Sequence, residues 1–324
     1  RVRAIRLPEN RGPSAARNEG IRRAAGKFIS FIDADDYVEP DMLERLYRSL
    51  LGQTAKDFCW LVVDDGSKDE TERLVKGWAE EGKIRICYQK QENGGKHRAL
   101  NAGIKRIESP LTFIVDSDDY LPEDSMRIIL DYHNKYAGTP GICGYSFLRF
   151  YSNGEVNTAY FPINEEIDTY LKVRINGGIG GDKAEVFYTY VLKEYPFPEF
   201  QGEKFMPEDT VWMMMSEKYA MVHINECVYI SDYLEGGLTK SGRRMKIYSP
   251  RGMMLRSKVY LENKEVCWKV KVKMQMLYII YSRFAGIGRA EAAEQLSHKG
   301  LFYLLYIPAS LIQRKWEKLK EVRQ

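Results

Sequence analysis

Three carboxylates crowd four positions at Asp116-Ser117-Asp118-Asp119, directly after the apolar run Leu111 to Val115. Like charges this close repel unless a cation or a hydrogen-bond donor sits between them. Hard oxygen donors of this kind suit Mg²⁺ or Mn²⁺, which keep waters and complete their shell with substrate phosphates. Upstream, Asn93-Gly94-Gly95-Lys96 reads as a glycine turn leading into a helix. Its backbone N–H groups, with Lys96 and Arg98 beside them, can face a diphosphate. A third polar turn, Asp64-Asp65-Gly66-Ser67, follows another apolar run, Cys59 to Val63. On its own such a turn is more often plain, because Asp and Gly favour those conformations. Metal plus diphosphate implies a nucleotide-linked substrate.

Such turns need a scaffold that brings them together. From Lys56 onward the pattern alternates: strand Cys59–Val63, helix Asp69–Glu81, strand Ile84–Gln89, a helix around His97–Ile107, strand Leu111–Val115. That alternation predicts an α/β fold, a doubly wound and mostly parallel sheet with helices on both faces and right-handed crossovers. Ligands of open sheets bind beyond the carboxyl ends of the strands, so all three polar turns fall on one rim.

Part of this pattern occurs twice. Asn10, Gly12, Ala16, Asn18, Gly20 and Ile21 recur as Asn93, Gly95, Ala99, Asn101, Gly103 and Ile104, and without insertion Asp33, Asp35, Asp36 and Tyr37 recur as Asp116, Asp118, Asp119 and Tyr120. Only the second copy has a further strand–turn unit before it, at Cys59–Ser67. Between the copies, Met42, Leu43, Leu46 and Leu50 mark a helix over Asp41–Gln53. Either strand Phe28–Ile32 substitutes for a missing first strand of the second copy, or residues 1 to about 36 are a remnant of a truncated tandem domain. A single sheet is the preferred reading, since an orphan strand and helix cannot bury their own apolar faces.

Val62-Val-Asp-Asp-Gly-Ser-Lys-Asp69, Asn93-Gly-Gly-Lys-His-Arg-Ala-Leu-Asn101-Ala-Gly and Phe113-Ile-Val-Asp-Ser-Asp-Asp-Tyr120 resemble the motifs of the family-two glycosyltransferases. The likeness runs from about Leu46 to Leu238, with Asn10 to Leu50 resembling part of the same family again. The opening strand with its Pro-x-Tyr-Asn turn is absent. The resemblance implies a GT-A fold and an inverting transfer from a nucleoside diphosphate sugar, a UDP-sugar first, to a hydroxyl acceptor. Asp64 or Asp65 would hydrogen-bond the uracil or ribose. Gly95, Lys96, Arg98, Asn101 and Ser117 would join the donor site. Asp116 would face the ribose or the metal, and Asp118 would ligate it, with Asp119 behind them.

The family's base lies in a Glu-Asp pair ahead of a helix, here Glu208-Asp209 before Val211-Trp212. An inverting transfer needs one carboxylate to take the acceptor hydroxyl's proton. Asp209 is assigned that role, with Glu208 as the rival; the pair could instead simply favour the helix start. Gly177-Gly-Ile-Gly-Gly181-Asp182-Lys183 reads as a mobile loop, with Gly181, Asp182 and Lys183 contacting phosphate or acceptor, or as an ordinary hinge. The loop Glu235 to Thr239 poses the same choice. His97 falls near the phosphate turn by accident of sequence, His223 and the Met213–Met215 run read as packing residues, and neither histidine reads as a metal ligand.

The chain is divided accordingly into a partial repeat (1–50), a catalytic domain (51–245, with a donor half to 125 and an acceptor half from 126) and a helical C-terminal region (246–324). Forty-nine basic against forty-five acidic residues, a net charge of +4, give no support for a nucleic-acid partner. Five scattered cysteines without C-x-x-C spacing point to reduced thiols in a cytoplasmic protein rather than a disulfide framework. The sequence begins at Arg1 rather than Met, so a start further upstream is expected. Leu301–Ile307, followed by Pro308 and the basic stretch Arg314–Lys320, is too short to span a bilayer. Residues 301–324 could rest peripherally on the inner face of a membrane, or pack as a helical appendage.

A saccharide or lipid-linked acceptor in cell-surface polysaccharide synthesis follows by family analogy. Two rivals stand beside this reading. A non-catalytic sugar-nucleotide-binding module would share the motifs. A haloacid-dehalogenase-type phosphatase also begins with a strand and an Asp-x-Asp turn, but Asp118-Asp119-Tyr120 fits its pattern poorly and Asp64-Asp65 would go unexplained.

Overall fold

Strand β2 (Phe58–Asp64) is buried along its whole length, as expected of an apolar run covered on both faces of a sheet. The two-residue period of a strand sends Phe58, Trp60 and Val62 to one face, where Leu43, Leu46 and Leu50 of α1 (Pro40–Gly52) cover them. Cys59, Leu61 and Val63 face the other way, onto Ala99, Leu100 and Ile104 of α3 (Lys96–Arg106). The fold is therefore doubly wound. The computed structural model describes residues 28–31, 40–157, 159–232 and 238–321. Residues 1–27 and 32–39, the Asp33-Ala-Asp35-Asp36 turn included, and most of the Glu235–Thr239 loop lie outside them.

Eight strands form one sheet in the order β3-β2-β1-β4-β7-β5-β8-β6, comprising β1 (Phe28–Phe31), β2, β3 (Arg85–Lys90), β4 (Leu111–Ile114), β5 (Ile142–Phe150), β6 (Glu166–Asp168), β7 (Ala184–Tyr188) and β8 (Ala220–Ile230). β1 lies between β2 and β4 and is parallel to both, with Ser30 opposite Trp60 on one side and Phe113 on the other. Phe28–Phe31 thus lies in the same sheet as the strands that carry the Asp64 and Asp116 turns. β3, β2, β1 and β4 are all parallel, so the turns after β2 and β4 leave at one edge. Beyond β4 the sheet is mixed: β7 is antiparallel to both β4 and β5, and β6 is antiparallel to β8.

α1 ties the two sides of that edge together. Tyr47 stacks on Trp78 of α2 (Thr71–Glu81) at 4.4 Å between ring centroids, alongside Trp60. Two residues earlier, on the other side of the helix, Arg45 lies over the Tyr120 ring and donates to the Asp118 carbonyl at 2.8 Å. α4 (Ser125–Tyr136) covers the same face, through Met126 and Ile129. α5 (Thr189–Glu194) and α6 (Asp209–Met215) cover the other, where Met213 and Met215 pack as core while Met214 is half-buried. His223 on β8 is fully buried 4.9 Å from the Phe161 ring, and burial lowers its imidazole to about 4, so it is a neutral core residue.

The C-terminal helices α7 (Leu238–Tyr248), α8 (Pro250–Glu262), α9 (Trp268–Phe284), α10 (Arg289–Glu294) and α11 (Gly300–Glu321) follow the sheet. Met253, Tyr278, Tyr281, Ala292 and Phe302 form a core of their own. Tyr260 and Met274 join the core beneath α6, which seats this bundle on the sheet domain.

Candidate active site

Val115 is the last fully buried apolar residue of the β4 run, and the chain then turns through Asp116, Ser117, Asp118 and Asp119. Asp116 receives Lys96 Nζ at 2.5 Å, Arg149 Nη1 at 3.4 Å and the Tyr229 hydroxyl at 3.2 Å. Burial alone would raise its carboxyl, but Lys96, Arg149 and Tyr229 outweigh that and hold it below the usual carboxylate range. Asp118 has no ion pair among the described residues, and burial and the neighbouring Asp116 raise its carboxyl. Asp119 is buried, and burial together with Asp116 pushes it up to about 8 despite Arg149 at 3.7 Å. Ser117 is buried between them.

The other two turns are built as one piece. Asp64 Oδ1 accepts the Gly66 and Ser67 amides at 3.0 and 2.7 Å, and Oδ2 accepts the Tyr88 hydroxyl. Asp65 accepts Gln91 Nε2 at 2.6 Å and the Gly94 and Gly95 amides at 3.0 and 2.6 Å. Both carboxylates have no exposed surface and shape the turns. Gly95 has φ +95°, and a Cβ there would lie 1.9 Å from the Lys204 carbonyl oxygen. Gly95→Ala is accordingly expected to cost about 1–3 kcal/mol, seen as a lower melting temperature. An unchanged melting temperature would show that the close approach does not matter.

Lys96 opens α3 and joins the two halves of the site: its Nζ is 2.5 Å from Asp116 and 2.8 Å from Glu208. Arg98 and Asn101 are spent elsewhere. Arg98 donates to the carbonyls of Gly94, Phe200 and Glu203 at 2.6–2.7 Å, and the Asn101 amide exchanges 2.8 Å bonds with the Phe197 backbone. Both hold the 197–204 segment against α3. His97 is buried there, and burial lowers it to about 4.

Glu208 and Asp209 stand at the start of α6, yet neither side chain caps it. They diverge instead. Glu208 meets Lys96, while Asp209 receives Arg256 Nε at 2.7 Å, Arg256 Nη2 at 2.5 Å and the Tyr260 hydroxyl at 2.8 Å. Burial alone would raise Asp209, but Arg256 and Tyr260 keep it below the usual range.

The 177–183 loop is tied in from behind. Arg174 donates to the Ile179 carbonyl at 2.9 Å and to the Gly181 carbonyl, and pairs with Glu185 at 3.4 Å. Burial pushes the Glu185 carboxyl up to about 7. Gly181 and Asp182 are exposed. Lys183 is buried and donates to the Ala159 carbonyl at 2.7 Å, and burial lowers it to about 8. Arg149 donates to the Lys183 carbonyl at 2.8 Å, linking this loop to Asp116.

Sequence reasoning missed Arg149, Tyr229, Arg256 and Tyr260. Arg149 interrupts an otherwise apolar strand, and Arg256 falls three residues after Met253 and four before Tyr260, on a buried helical stripe. A cation on a buried face was the available signal for both. Asp116 and Asp118 are the residues that would hold a divalent ion: two carboxylates, the second with no ion pair among the described residues and raised by burial and by the first. Among the described residues there is no cluster of three or more His, Cys, Asp or Glu that could hold a metal without substrate oxygens.

Similar chains narrow the family. An uncharacterized glycosyltransferase of Rickettsia prowazekii is 35% identical over 102 residues, 31% of each chain. The succinoglycan biosynthesis protein ExoW of Rhizobium meliloti is 36% identical over 90 residues, 27% of this chain and 28% of that one. The matched part thus spans under a third of these curated relatives. Among solved structures, TarS of S. aureus in complex with UDP-GlcNAc superposes with a TM-score of 0.56 at 20% identity, covering 87% of this chain and 79% of that one. A Pyrobaculum calidifontis mannosyltransferase in complex with GDP-Man and Mn²⁺ gives 0.53 at 15% identity over 95% and 90%. At such identities the likeness concerns the fold, which is of the GT-A type. The glycosyl transferase family 2 model matches residues 1–50 and 39–180, more than half of the sequence, and the chain belongs to that family.

Proposed function

We propose that the chain transfers a sugar from a nucleoside diphosphate donor, a UDP-sugar first, to an acceptor hydroxyl with inversion. The observation that carries this reading is Lys96, which bonds both Asp116 on the donor side and Glu208 beside Asp209. The shared lysine supports reading the Asp116 turn and the Glu208-Asp209 pair as one site, as an in-line displacement would require. Asp118 and Asp116 would hold Mn²⁺ or Mg²⁺ against the diphosphate. A bound ion supplies charge neutralisation as the nucleoside diphosphate departs. Asp65 takes the Gly94 and Gly95 amides, so Lys96, at the start of α3, is the group of this turn that would face the phosphates. Asp209 takes the acceptor proton on Oδ1, which accepts only one hydrogen bond, from Arg256; Glu208 is the rival base. Gly181, Asp182 and Lys183 border the acceptor.

The acceptor class is a saccharide or lipid-linked saccharide of a bacterial cell surface, assembled at the cytoplasmic face of the membrane. Succinoglycan proteins and a teichoic acid poly(glycerol phosphate) polymerase of Staphylococcus epidermidis, 24% identical over 151 residues, support that class. The complexes of the fold neighbours with UDP-GlcNAc and with GDP-Man and Mn²⁺ support the donor class. A panel of UDP-, GDP- and TDP-sugars with Mn²⁺, read by thermal shift and by release of nucleoside diphosphate, tests the reading. UDP-sugar binding with metal-dependent UDP release is expected. Binding without turnover would make the chain a sugar-nucleotide-binding module instead.

A further inference from the structure

We infer that the outer face of α11 is a docking surface for an anionic membrane. This goes beyond the catalytic reading and does not depend on it. At 3.6 residues per turn, Phe302, Ala309 and Gln313 fall on one side of the helix, and all three are buried. That side packs on α9, where Phe302 meets the Tyr278 ring and Trp316 meets Tyr281. Leu304, Ile307, Pro308 and Leu311 fall on the opposite side. A helix packed on a soluble domain normally turns polar residues outward. Here Leu304 is 74% exposed, Ile307 72% and Leu311 60%, with Tyr303 beside them at 46%.

Charge identifies the occupant. Residues 300–313 contain no Asp, Glu, Lys or Arg, whereas 314–324 hold five Lys or Arg against two Glu. Exposed Lys315 continues the apolar stripe one turn past Leu311, and exposed Arg314 flanks it. Arg289 lies over the Tyr303 and Tyr306 rings at 5.0 and 4.6 Å, adding a cation at the other end. An apolar stripe framed by cations suits the boundary between acyl chains and anionic headgroups. No described helix is long and apolar enough to cross a membrane, so the helix lies along the surface. A second copy is the weaker occupant, because a stable dimer buries about 800 Å² per partner and four side chains cannot supply that. Paired copies would also bring these cations face to face.

Co-sedimentation with vesicles of phosphatidylcholine alone, and of equal parts phosphatidylcholine and phosphatidylglycerol, tests the assignment. The chain should bind the second and not the first, with binding weakened by added salt. Leu304→Ser/Ile307→Ser/Leu311→Ser should weaken binding roughly tenfold or more, and Arg314→Glu/Lys315→Glu should also weaken it. Because these side chains point into solvent, circular dichroism and melting should match the parent. Failure of the parent chain to bind anionic vesicles, or full binding by the triple variant, would overturn the inference. So would a dimer in analytical ultracentrifugation that the triple variant dissociates, which would assign the face to a second copy.

Discussion

Asp118→Asn should lower sugar transfer by roughly two to three orders of magnitude while leaving the fold as stable as before, or more so. The two effects have one cause. Burial and the neighbouring Asp116 raise the Asp118 carboxyl, and Lys96 and Arg149 only partly offset them. A folded-state pKa above the unfolded one means stability that is present at low pH and lost as pH rises through the folded value. The neutral amide removes that loss, so melting at neutral pH should hold or rise. A charge kept where it weakens the fold is the mark of a functional position. Asp116→Asn should behave oppositely. Asp116 answers Lys96 and Arg149, and breaking such a partly buried network costs about 1–3 kcal/mol. Steady-state transfer and thermal melting of both variants check the pair. Near-parent transfer by Asp118→Asn would remove it from the donor site.

The donor half was the most legible part. Apolar runs bounded by Asp and Gly turns placed Cys59–Val63 and Leu111–Val115 within a residue or two of β2 and β4. Parallel alternation put their turns on one edge. The acceptor half was not readable in the same way, because β7 and β6 enter antiparallel and their positions depend on pairings distant in sequence. Spacing also could not show that Arg98 and Asn101, inside the donor motif, turn to the 197–204 segment about a hundred residues away. Exposed backbone carbonyls attract whichever donors the fold brings near. Arg149 and Arg256 escaped notice for the complementary reason: each lies on an element that reads as core, and only its carboxylate partner explains it.

The base pair can be split by substitution. Asp209→Asn should lower kcat by roughly 10²–10⁴-fold with little change in donor affinity. Glu208→Gln should act mainly by loosening Lys96, and so raise the KM for the donor more than it lowers kcat. The surroundings of Asp209 fix its carboxylate in place. Arg256 takes both oxygens, and Tyr260 adds a bond to Oδ2. Hydrogen bonds to the charged form make it a weaker base, but an ionised one at every working pH. Since its carboxyl sits below the usual range, kcat/KM should show no acid limb from Asp209 above about pH 5. Arg256→Met should reverse that: burial is then opposed only by the Tyr260 bond and Lys246, the carboxyl rises, and the acid limb moves toward the measured range. An acid limb that leaves Asp209→Asn unaffected and disappears in Glu208→Gln would transfer the role to Glu208. Near-parent transfer by both variants would place the base outside the pair.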